Sequence, residues 1–76
     1  MTQQEWKENF ASNLIDILEE KGMTQTQLAI DAGISKSQVS DYINGNTIPS
    51  LAVAINMAYA LDMDVGDFVD FGDRIE

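Results

Sequence analysis

A chain of 76 residues buries only about 60% of its unfolded surface. With 45% hydrophobic against 22% charged residues, it is too apolar for disorder and short enough for one domain over 1–76. It has no cysteine and no histidine, which excludes a disulfide framework and thiolate or imidazole metal sites and removes the commonest general base. No enzyme, cofactor or metal site is therefore expected.

The N-terminal Thr2-Gln3-Gln4-Glu5 reads as a capping box, a hydroxyl at N-cap with a carboxylate three residues on. Trp6, Phe10, Leu14, Ile17 and Leu18 then lie on one face of a helix. Lys21 and Gly22 end it, so the first helix is predicted from about residue 3 to 21. The opening decapeptide is no secretory signal, because it lacks a basic stretch followed by an apolar one.

Thr24 to Gln27 repeats the capping signature, and Leu28, Ala29 and Ala32 give a short second helix its inner face. Gly33 follows. Ser35 to Gln38 form a third capping box, Val39, Tyr42 and Ile43 the inner face of a third helix, and Asn44-Gly45 its stop. Ser50 is a candidate cap for a fourth helix, with Leu51, Ala54, Ile55, Ala58 and Leu61 as the expected buried stripe. The apolar run from Leu51 to Leu61 falls far short of the roughly 20 residues that span a bilayer. Asp64 to Asp67 open a fifth, short helix with Val65 and Phe68 turned inward, and the acidic tail from about 70 to 76 shows no period.

The expectation is therefore all-α: five helices and no strand. Two short helices joined by about three residues cross at roughly 90–120° and present the start of the second outward. Here that start carries Ser35, Lys36, Ser37, Ser40 and Asp41, a polar tip on a rigid helix. Such a helix fits the DNA major groove, about 12 Å wide, and N–H groups at helix starts receive phosphates.

The segments TQTQLA, GIS, QVSDYINGN, PSL and ALDMDVGDF resemble the Cro/C1-type (XRE family) helix-turn-helix regulators of phage and bacteria. The resemblance covers about Leu14 to Phe68, with the helix-turn-helix at about 24–44. It implies a five-helix, lambda-repressor-like fold and a transcriptional regulator of repressor or Cro type bound to a double-stranded DNA operator. Gln25 and Asn44 would hold phosphates, and Gln38 is a further candidate. Lys36, Ser37 and Asp41 would reach base edges with Ser40 close by. Ser35 would cap the third helix near the phosphates. Two positions depart from the family pattern. Asp41 stands where many relatives carry a basic or amide residue, and Asn46 where they often carry a basic one.

The net charge of −9 divides unevenly: −3 over residues 1–22, −1 over 23–46 and −5 over 47–76. The acid thus lies mostly outside the helix-turn-helix. Two copies acting together are expected to compensate for the shortage of cations, as a weak homodimer through the fourth helix onward, with Tyr59 and Phe71 as candidate contacts. A cytoplasmic protein of a bacterial or phage-infected cell follows, nucleoid-associated when bound and without membrane contact. The competing reading is a protein-interaction module, an antirepressor or inhibitor whose acidic surface holds a basic protein partner. Acid from Glu19, Glu20 or Asp31 crowding the stretch from Ser35 to Asp41 would favour it.

Overall fold

The computed structural model describes residues 2–69; Phe71, a candidate dimer contact, and the acidic tail lie outside them. The helices are α1 (Gln3–Lys21), α2 (Gln25–Ala32), α3 (Lys36–Ile43), α4 (Leu51–Ala60) and α5 (Val65–Phe68). No strand occurs among the described residues, and no helix there is long and apolar enough to cross a membrane.

Local chemistry sets the helix starts. The Thr2 hydroxyl accepts from the Glu5 N–H at 3.1 Å, while the Thr2 N–H donates to Glu5 Oε1 at 2.9 Å. Hydrogen bonding to the Glu5 carboxylate by the Thr2 backbone N–H, and by the Thr2 side chain, holds that carboxyl below its ordinary pKa. Ser35 and Gln38 make the same reciprocal pair at 3.0 and 3.1 Å. The box expected at Thr24 is only half formed. The Thr24 hydroxyl caps the Gln27 N–H at 3.1 Å, but the Gln27 amide donates forward to Asp31 Oδ1 at 2.7 Å. A carboxylate one turn on is a stronger acceptor than a cap N–H is a donor, so the side chain turns that way.

The four longer helices all end alike. One N–H reaches back three residues and the next reaches back five, the Schellman pattern that satisfies the orphan carbonyls. In α2 these bonds run from Gly33 to Ile30 and from Ile34 to Ala29, at 3.2 and 3.0 Å. The pattern needs a left-handed residue. Gly33 supplies it at φ +71°, and the chain turns into α3 after only Gly33, Ile34 and Ser35. At the end of α4 the left-handed residue is Asp62, at φ +57°, the only non-glycine with positive φ among the described residues. Met23, Ile34 and Met63, each just past such a turn, fold back onto the core half-buried.

Phe10, fully buried, sits at the centre. Trp6 stacks on it at 5.3 Å, while Tyr42 of α3 and Phe68 of α5 meet it edge-on at 6.2 and 5.3 Å. One side chain of α1 thereby locates two other helices. The Asn13 amide closes the same corner by donating to the Phe68 carbonyl at 2.7 Å, satisfying the end of α5.

α4 faces differently from the expected stripe. Ala54, Ala58 and Leu61 are buried as expected, but Leu51 is 73% exposed and Ile55 36% exposed. Met57 instead is fully buried. The run from Leu51 to Leu61 is apolar nearly all round, so periodicity selects no face. Contact with α2 and α5 does. Val65 is only half-buried, and the Asp64 side chain makes no capping bond to α5.

Candidate nucleic-acid interface

Four expected site residues stand on the outer side of α3. Lys36, Ser37, Asp41 and Asn44 are all exposed, while Val39 and Tyr42 of the same helix are buried. Ser37, Asp41 and Asn44 are spaced by four and three residues and so lie along one stripe.

Neither α2 nor α3 carries an acid in its first turn, unlike α1 and α5. The helices give their first-turn N–H groups no internal partner. The caps engage only those of Gln27 and Gln38. The N–H groups of Lys36 and Ser37, and of Gln25 and Thr26, remain at the helix starts where the dipole favours an anion.

Gln25 and Ser40 are brought together. The Ser40 hydroxyl donates to Gln25 Oε1 at 3.1 Å in a partly buried contact. This clasp fixes the first residue of α2 to the middle of α3. With its oxygen engaged, the Gln25 amide keeps its nitrogen for an outside acceptor. Sequence reasoning named both residues separately. Fifteen positions apart, they carry no local signal of their pairing.

Gln38 is committed to the fold. Its oxygen holds the Ser35 N–H, and its side chain also hydrogen-bonds Tyr42. Burial raises the Tyr42 pKa, the Gln38 bond pulls it back, and the neighbouring Asp41 carboxylate raises it further. Ser35 is likewise a cap on both its N–H and its hydroxyl.

Glu19 lines a groove of about 410 Å³ together with Thr24, Gln25 and Ile43. Asp31 stands in the last turn of α2, held by Gln27. Within α3 itself Asp41 is the sole carboxylate.

Two helices at a three-residue turn, acid-free helix starts and an exposed polar stripe are the geometry of a helix-turn-helix. A search of curated proteins finds no match to the chain. The family described as helix-turn-helix, of Cro/C1 (XRE) type, matches residues 14–68, from within α1 to the end of α5. Five helices in this order, without a strand among the described residues, make a lambda-repressor-like fold. The chain belongs to the Cro/C1-type helix-turn-helix family of DNA-binding regulators.

Proposed function

We propose that this chain is a sequence-specific regulator of phage or prophage type, a repressor or Cro-like protein that lays α3 in the major groove of an operator. The observation that carries the reading is the pair of acid-free helix starts, with α2 clasped to α3 through Gln25 and Ser40, in a chain of net charge −9. The first turns that would meet phosphates carry no carboxylate, and Asp41 is the sole acid on α3.

In this reading the Gln25 amide nitrogen, Asn44 and the first N–H groups of α2 and α3 hold phosphates. Lys36, Ser37 and Asp41 face base edges. Ser40 acts through Gln25, and Ser35 and Gln38 act by fixing the start of α3. Two copies occupy half-sites about 34 Å apart, and self-association of the free, strongly acidic chain is weak. The protein works in the cytoplasm, on the nucleoid of a bacterial or phage-infected cell.

Asp41 and Glu19 favour a second reading, an inhibitor that captures a basic DNA-binding protein on this face. A gel shift with the DNA upstream of its own gene, against random duplex of equal length, separates the two. A retarded band on the upstream DNA only is expected. Equal retardation of both, or of neither, overturns the proposal.

A further inference from the structure

The side chains that turn away from the core on α4 form a surface of their own. Leu51, Ile55 and Tyr59 recur every four residues, and Leu51 and Tyr59 are 73% and 80% exposed. An almost fully exposed tyrosine on an apolar stripe resembles the aromatic anchors of protein interfaces. Tyr59 also separates two grooves. One, of about 310 Å³, is lined by Ile55, Ala58, Tyr59, Met63, Asp64 and Val65. The other, of about 400 Å³, is lined by Tyr59, Asp62, Met63, Asp64 and Asp67. Tyr59, Met63 and Asp64 form their common wall. None of these residues belongs to the DNA-binding candidates.

The charge selects the occupant. Residues 47–69 contain Asp62, Asp64 and Asp67 and no lysine or arginine. A second copy docked face to face would bring both sets of carboxylates together without a cation from this region, so self-association here is weak and a basic partner is the better fit. The remainder of the chain, residues 70–76, adds Asp70, Asp73 and Glu76 against Arg74 and has the wrong sign too. An anionic lipid surface is repelled for the same reason. The acids are not a cation cage, because no cluster of three or more potential ligand side chains among the described residues could hold a metal ion. We infer that the α4–α5 face is a docking site for a basic amphipathic helix of another protein. Its apolar side chains enter the grooves beside Tyr59, and its lysines or arginines pair with Asp62, Asp64 and Asp67.

The test uses the full chain and three synthetic helical peptides with the same leucine face and polar faces of lysine, glutamine or glutamate. Amide chemical shifts of the isotope-labelled chain locate each peptide. The lysine peptide is expected to move Ile55, Tyr59, Met63 and Val65 first and to bind more tightly than the glutamine peptide, with the glutamate peptide weakest. Tyr59→Ser, at an exposed position, should weaken the lysine peptide about tenfold. The double change Asp62→Asn, Asp67→Asn should erase the preference for lysine over glutamine. Glu8→Asn with Glu20→Asn, an equal loss of charge on α1, should leave the preference in place. Shifts scattered over every acidic surface overturn the inference, as does indifference to Tyr59→Ser. A chain whose α4 amides are already protected in a low-salt dimer overturns it in favour of a second copy. Lys36→Ala, on α3 and away from both grooves, should weaken the gel shift and leave the lysine peptide's shifts on α4 and α5 in place, so failure here and failure of the DNA reading are separately visible.

Discussion

Asp41 is the residue where the DNA reading meets its strongest objection. Its side chain is exposed on the polar stripe of α3, while its backbone carbonyl accepts the Asn46 N–H at 2.9 Å in the turn that ends the helix. The backbone role survives any substitution, so the carboxylate can be tested alone. In the groove it accepts from cytosine N4, a contact whose loss removes about 1–3 kcal/mol of discrimination. Against the backbone it only repels phosphate. Asp41→Asn removes the charge and keeps the shape. We expect binding to the operator to fall while binding to random duplex rises, narrowing the ratio between them in paired titrations. A uniform gain on every DNA would show a carboxylate that merely repels, and no change on any DNA would remove Asp41 from the interface.

At the scale of the element, the helix ends were legible and the helix faces only partly so. Thr2, Thr24, Ser35 and Ser50 each cap the helix that the sequence assigns to them, because a cap is a contact across three residues and needs no tertiary information. The Gln27 side chain was misassigned because Asp31, one turn on, competes for it. The burial of Met57 in place of Leu51 and Ile55 was illegible in a helix apolar on nearly every side. The site divides in the same way: α3 and its polar stripe follow from local pattern, whereas the Gln25–Ser40 clasp is tertiary. The Schellman ends give a quantitative test. A Cβ built on Gly33 meets nothing within 4 Å, so the cost of Gly33→Ala is confined to the left-handed backbone. That should be about 1 kcal/mol. Asp62 already occupies the same conformation at φ +57°. Asp62→Gly relieves it but frees the unfolded chain, so the net change should stay under about 0.5 kcal/mol. Urea unfolding of both variants measures this, and a neutral Gly33→Ala would show that the turn into α3 does not rely on its glycine.

For the whole molecule the deciding quantity is where −9 charges sit relative to the surface that meets DNA. Within residues 23–46 the only side-chain cation is Lys36, opposed by Asp31 and Asp41. Counterion release scales with the phosphates that cations neutralise, with a slope of about −0.9 for each on duplex DNA. Two copies contributing one lysine each should therefore show a log–log slope near about −2. Contacts from N–H groups and from the Gln25 and Asn44 amides release few ions and add little to it. Salt acts in the opposite sense on association, since screening weakens the mutual repulsion of two acidic chains over a distance of about 10 Å at 0.1 M. The free chain should accordingly sediment as a monomer at low salt and shift towards dimer as salt rises. Operator affinity should therefore decline less than the phosphate term alone requires. Binding isotherms and sedimentation on one salt series test both halves together. A slope as steep as about −6 would mean that cations outside α3, such as the exposed Lys21, reach the backbone. A dimer that weakens with salt would mean that ion pairs, and not apolar contacts held apart by like charge, join the two copies.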